Sequence, residues 1–213
     1  MKRNELYAYI TASFALLVPV PGRLAYGIVL IAMLNLLMLC ATLFRRLVPL
    51  LKLDGLHPVL IAVFLVAMTV LFKQWLICFS PLMALVLGFA VYMPAVSSFM
   101  IGYLYKKGPD SLVHELFRNM GQSGRFSLYA LGFFLFRDVF GYGTVTLPSR
   151  EGLLTLPLVK AGEAAVHVGV FWASIPGALV LSALLVVLIS SVTRALELAR
   201  PDGYAGQEAS HAE

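Results

Sequence analysis

Residues 24–44 read Leu24-Ala-Tyr-Gly-Ile-Val-Leu-Ile-Ala-Met-Leu-Asn-Leu-Leu-Met-Leu-Cys-Ala-Thr-Leu-Phe44, without one Asp, Glu, Lys or Arg, and stop against Arg45-Arg46. A helix rising 1.5 Å per residue needs about 20 such residues to cross roughly 30 Å of hydrocarbon. A soluble core helix would carry a polar stripe along one face, and this stretch carries none. Working outward, the same absence of charge recurs over residues 6–22, 55–72, 74–105 and 164–193. Across the 213 residues, 60% are hydrophobic and 13% charged, against about 25% charged in ordinary globular domains. The composition and the spacing of charge both predict an integral membrane protein.

Several other classes fall away on the same observations. The net charge of +5 comes from residues lying between apolar runs, where orientation signals belong. No basic patch with interleaved aromatics points to nucleic acid. Lys2-Arg3 followed by an apolar stretch resembles a secretion signal, but Pro19-Val-Pro21-Gly22 offers no small-x-small cleavage site. The expectation is that this stretch is retained. Two cysteines, Cys40 and Cys78, cannot make a zinc or iron–sulfur site without other ligands.

Six membrane segments are predicted. The first covers about residues 6–18 and ends at Pro19, and the second covers 24–44. The third runs over 58–79, with Lys73-Gln74-Trp75 near one interface. The fourth opens at Pro81 and is interrupted by Pro94 before Tyr105. The fifth, 126–140, carries Arg137-Asp138, and the sixth, 166–192, contains Pro176-Gly177. Residues 1–200 are read as one polytopic domain, and 201–213 as a disordered polar tail. Six crossings place eleven of the 16 Lys and Arg on the side of the two termini. That excess predicts cytoplasmic ends.

The fold class expected is all-α, with two three-segment halves, about 6–79 and 81–192, related by inversion. Pro19 and Pro94 interrupt the leading segment of each half, and paired interruptions are a sign of an inverted repeat. Half-helices ending inside a bilayer need a cavity, a cofactor or a partner to take up their backbone groups. The plainer alternative is that each proline only kinks a continuous helix and removes one hydrogen bond. Both readings stand at this level.

Five stretches, in order along nearly the whole chain, carry a family resemblance. Ala15-Leu-Leu-Val-Pro19 resembles the leucine/glycine/cysteine/proline turn in the first half-helix of the Rnf/Nqr membrane subunits. Leu34-Asn35-Leu36-Leu37 with Arg45-Arg46 is similar to the end of their second helix. Leu87-Gly88-Phe89 with Met93-Pro94 resembles their fourth segment. Phe136-Arg137-Asp138-Val139-Phe140-Gly141-Tyr142-Gly143-Thr144 is similar to their arginine-glutamate-isoleucine-leucine-glycine-x-glycine-threonine. Ile175-Pro176-Gly177-Ala178 resembles the proline-proline-glycine-alanine of the E subunit of Rnf.

The resemblance implies a subunit of an ion-translocating electron-transport complex in the inner membrane. Its partners would be the lipid bilayer and other membrane subunits, above all an inverted A-subunit-like one. Two such subunits together hold a 2Fe-2S cluster on four thiolates, two from each. Here the two ligand positions fall at Val18 and Met100. Valine offers no donor and methionine only a thioether, which is not a usual cluster ligand. The chain is therefore expected to bring no cofactor or metal ligands of its own, and to be a degenerate subunit. The alternatives are a stand-alone small-solute or ion transporter, and a membrane scaffold. No nucleophile–base pair or phosphate loop points to catalysis. His57, His114, His167 and His211 lack metal-ligand spacing. Arg137-Asp138, near the end of segment five, is expected to snorkel to the interface. Ser97-Ser98 are expected to bond the interrupted backbone after Pro94, and Trp75 and Trp172 to be interface or packing aromatics.

Overall fold

The computed structural model describes residues 17–48, 56–104, 112–158 and 166–198. In chain order they form α1 (Leu24–Leu47), α2 (His57–Phe79), α3 (Pro81–Leu87), a 3-10 stretch (Gly88–Tyr92) and α4 (Met93–Leu104). There follow α5 (Leu112–Tyr142), the strands β1 (Thr144–Ser149) and β2 (Gly152–Pro157), α6 (Val166–Ala173) and α7 (Ile175–Leu198). Leu24–Leu47, His57–Phe79 and Pro81–Phe99 are long and apolar enough to cross a membrane. The expected tail, 201–213, and most of the first segment lie outside the described residues.

Helix α1 is the centre of the bundle. Its buried positions include Leu24, Gly27, Leu30, Ile31, Leu34, Leu37, Met38 and Ala41, spaced as one helical face requires. That face packs against α5 running the other way. The antiparallel register is fixed at four levels: Leu24 meets Asp138, Gly27 meets Phe134, Asn35 meets Ser127, and Thr42 meets Asn119. From Leu24 to Thr42 the contact covers about 27 Å at the α-helical rise. The Asn35 Nδ2 donates to the Ser127 hydroxyl and to the Ile31 carbonyl, both at 2.9 Å, and Ser123 donates to Asn35 Oδ1 at 2.7 Å. Asn119 donates to Thr42 Oγ1 at 3.1 Å. Such side-chain bonds join helices where apolar burial cannot distinguish a neighbour from lipid.

Helix α2 is peripheral. Only Ile61, Leu65, Thr69, Phe72 and Leu76 are buried, a narrow stripe at helical spacing. The rest of its surface exposes Val59, Val63, Val66, Leu71 and Trp75. An apolar helix exposed on most of its circumference suits hydrocarbon as its surroundings. Trp75 stacks on Phe79 at 5.8 Å, as expected of a packing aromatic.

The structure corrects four expectations. The chain is not all-α: β1 and β2 pair antiparallel from Thr144↔Pro157 to Ser149↔Gly152, closed by Arg150-Glu151. Val145 and Leu147 on one strand face Leu156 and Leu154 on the other, apolar at every second position as the strand period requires. The fifth segment, 126–140, lies within a longer helix of 31 residues that starts at Leu112, about 46 Å long. The fourth segment does break, but at Gly88 and not after Pro94. Gly88 adopts φ +45° and ends α3, whereas Pro94 sits in the first turn of α4, where its missing N–H costs nothing. Finally, the sixth segment is split at Ser174, just ahead of Pro176-Gly177.

Candidate functional site

The first stretch of chain leaves a helical turn at Leu17 and runs irregularly through Pro19 and Pro21 to α1. Two prolines two residues apart cannot continue a helix, since each removes a donor and clashes with the preceding turn. Helix α6 likewise ends at Ala173, and Ser174 separates it from α7. Each helix end leaves carbonyl groups without intrahelical partners. In an apolar setting, an unpaired carbonyl costs several kcal/mol, of order 2–7 by transfer scales. Something has to meet them.

Arg137 does. Its Nη1 donates to the Val20 carbonyl at 2.9 Å and to Leu17 at 3.5 Å. Its Nη2 donates to Ala173 at 2.8 Å and Ser174 at 3.4 Å, and its Nε to Trp172 at 3.3 Å. One guanidinium thus bridges carbonyls of the turn at Leu17–Val20 and of the α6 end, segments far apart in the chain. It lies 5.5 Å from the centre of the Phe133 ring, a further favourable place for a cation. Only 1% of Arg137 is exposed. The pair therefore does not snorkel as expected, because both members are held by backbone groups inside the fold.

Asp138 serves the opposite kind of end. Its carboxylate accepts from the Leu24 N–H at 3.1 Å, from the Thr146 N–H at 2.7 Å and hydroxyl at 2.6 Å, and from the Thr144 hydroxyl at 3.0 Å. Thr146 Oγ1 in turn accepts from the Ala25 N–H at 3.2 Å. Arg23, at the N-cap position of α1, makes no side-chain cap. The negative group that a helix start favours is supplied instead from 114 residues away. Adjacent residues on a helix point about 100° apart, so Arg137 and Asp138 can serve different neighbours.

Close backbone approach makes this geometry possible. A Cβ on Gly22 would lie 3.1 Å from the Ala173 backbone and from Arg137 Nε. One on Gly141 would lie 2.7 Å from the Ala173 Cβ. The entry to α1 is also tied to the end of α5, with the Arg23 guanidinium 4.6 Å above the Tyr142 ring.

The other candidate residues lie elsewhere or offer other chemistry. Val18, the first ligand position of the family pattern, is buried beside the Arg137-bound turn and presents only hydrocarbon. Met100, the second, falls in α4. A valine and a thioether do not fit an iron–sulfur cluster, which takes thiolates. Cys40 and Cys78 are free, the first half-buried and the second exposed. They lie toward opposite ends of the bundle. Cys40 is 16 residues, about 24 Å, along α1 from the Asp138 end. Cys78 adjoins Phe79, which shares a groove with Pro148 of the hairpin at that end. Among the described residues, no group of three or more His, Cys, Asp or Glu is placed to hold a metal ion. His57 is half-buried and His114 exposed, while His211 lies outside the described residues.

Ser98 donates to the Pro94 carbonyl at 2.6 Å, an i−4 bond within the continuous α4 and not, as expected, to interrupted backbone. Among the described residues, apolar cavities open on the surface. One of about 460 Å³ lies between α1 and α2, beneath Pro148, and one of about 240 Å³ is lined by Leu65, Tyr92 and Phe99. The hairpin and its Thr146 were missed from sequence, although the every-second apolar residues Val145, Leu147, Leu154 and Leu156 were an available signal. Comparison with protein-family models, with curated proteins and with solved structures gives no match to this chain.

Proposed function

We propose that the chain is a membrane subunit of an Rnf/Nqr-type ion-translocating electron-transport complex, degenerate in that it lacks iron–sulfur ligands of its own. On this reading it crosses the inner membrane six times, in two inverted halves, with both termini cytoplasmic. Its neighbour is an inverted A-subunit-like protein that would supply whatever thiolates a shared cluster retains.

One observation carries the proposal. Two of the five stretches that resemble the family meet at a single junction, and a third begins just beyond it. Leu17 comes from the first, Arg137, Asp138, Gly141 and Thr144 from the fourth, and the Ser174 break immediately precedes the fifth. Words of sequence that match by accident have no reason to converge in space. Residues that build one device do, because the device needs all of them at once. The polar groups at the junction are spent on backbone and on the hairpin threonines.

The test is purification of the full chain from native membranes in mild detergent, followed by identification of what accompanies it. Sibling electron-transport subunits are the expected result. A lone chain or homodimer would overturn the proposal and favour the transporter, and non-redox partners would favour the scaffold. Reporter tags at the N-terminus and at Asp110 should be cytoplasmic, and a tag at Gly152 external. A cytoplasmic Gly152 would break the six-crossing topology.

A further inference from the structure

Broken helices in membranes commonly hold cations at the carbonyl ends of their halves, where the helix dipole and the unpaired oxygens are both negative. The junction described above has those parts. Five carbonyl oxygens, from Leu17 and Val20 on one side and from Trp172, Ala173 and Ser174 on the other, line one flat space. The Ser174 oxygen also accepts from the Ala178 N–H at 3.0 Å. The Phe133 ring faces the same space. What occupies it is the guanidinium of Arg137.

We propose that this junction is a cation site whose resident ion is the Arg137 side chain, and that it takes a free guanidinium-type cation once that side chain is shortened. Three features favour a planar, weakly hydrated cation over a small metal ion. The oxygens are reached by three different nitrogens, so they surround a flat, extended group and not a single centre. Two of the contacts are near 2.8–2.9 Å and three are 3.3–3.5 Å. A sodium or calcium ion would need its oxygens drawn together at much shorter range, about 2.3–2.6 Å for calcium. Guanidinium is also less strongly hydrated than an ammonium, so it loses less on entering an apolar interior. Asp138 does not compete for the role of counter-ion, since its carboxylate is engaged by Leu24, Thr144 and Thr146.

The consequence for the molecule is self-sufficiency. A break that elsewhere would need an external ion for closure is closed here by covalently attached charge. The two helix ends are then joined regardless of the salt around the protein, and regardless of which complex the chain belongs to.

The experiment uses the full chain in detergent, with the thermal unfolding midpoint as readout. R137A should unfold several degrees below the parent. Low-millimolar guanidinium chloride should raise the R137A midpoint saturably, leaving the parent and R137Q unmoved, because the glutamine side chain still fills the cage. Sodium chloride and urea at equal concentration should not reproduce the rise. No guanidinium effect on a folded R137A, or an equal effect of sodium, would overturn the proposal. Should R137A fail to accumulate, R137K and R137Q decide the matter. The charged lysine variant should retain the higher midpoint, and a neutral glutamine variant as stable as R137K would contradict a cation site.

Discussion

Two kinds of helix break stand side by side in this chain. At residues 17–23 and at Ser174 the helix ends are met by distant charged side chains, Arg137 on the carbonyls and Asp138 on the N–H groups. At Gly88–Tyr92 the chain passes from α3 to α4 through a tightened 3-10 turn, led by a glycine at φ +45°. The first kind is closed by tertiary contacts, and the second by local backbone conformation. A locally closed break can form whenever its own residues do. A remotely closed break forms only when α5, the hairpin and α6 have reached their places, so it couples those elements together. The sequence word Arg137-Asp138 is therefore an assembly device, with each charge assigned to the helix end of opposite polarity.

The largest expected effect tests that assignment. Asp138→Ala strips Leu24, Thr144 and Thr146 of their acceptor and should cost about 3 kcal/mol, the scale for removing one member of a buried charged network. Denaturant or thermal unfolding in detergent measures it. A loss smaller than that at the glycine break would erase the distinction between the two kinds.

Next comes the helix pair on which the remote break depends. At Gly27 the Phe134 ring occupies the space a Cβ would need. Gly27→Val should therefore cost about 1–3 kcal/mol through overpacking. Trimming the ring in Gly27→Val/Phe134→Ala should recover part of that cost. An additive double variant would mean that the two residues do not meet.

At the local break the expected effect is smaller and of different origin. Nothing lies within 4 Å of a Cβ built on Gly88, so Gly88→Ala pays only for its backbone angle, about 1 kcal/mol. Unfolding should remain a single transition with an unchanged partner set. A loss as large as that of Asp138→Ala would show that the break carries more than local strain.

The smallest effect belongs to the polar seam between α1 and α5. Asn35→Leu removes the bonds to Ser123 and Ser127, and interhelical bonds of this kind average about 0.6 kcal/mol in membranes. A loss of several kcal/mol would move the seam into the same class as the Arg137 junction.

Much of the helical framework was legible in sequence because charge is so costly in hydrocarbon. The start of α1 at Leu24 falls where a charge-free run places it, and the end of α2 at Phe79 falls where Pro81 places it. What escaped was whatever depended on partners. The first half of α5 carries His114, Glu115, Arg118 and Arg125, which read as a loop beside an apolar run. Pro94 looked like the breaker, but a proline in a first turn is harmless and the preceding glycine ends the helix. Arg137 and Asp138 looked like an interfacial pair because their backbone partners lie at positions 17–25 and 172–174, far away in sequence. The hairpin carries no long apolar run, and its signal is the alternation of Val145 and Leu147 against Leu156 and Leu154. That two adjacent charges on a helix must face different directions was available, and it pointed to separate partners.

The functional proposal is that this chain would sit in an electron-transport assembly yet contribute no cluster ligands, with Val18 and Met100 at the positions the resemblance assigns to them. Iron analysis and visible absorbance of the isolated full chain test it most directly. The account predicts no stoichiometric iron and no charge-transfer bands. Stoichiometric iron that is lost when Cys40 or Cys78 is replaced by serine would contradict it.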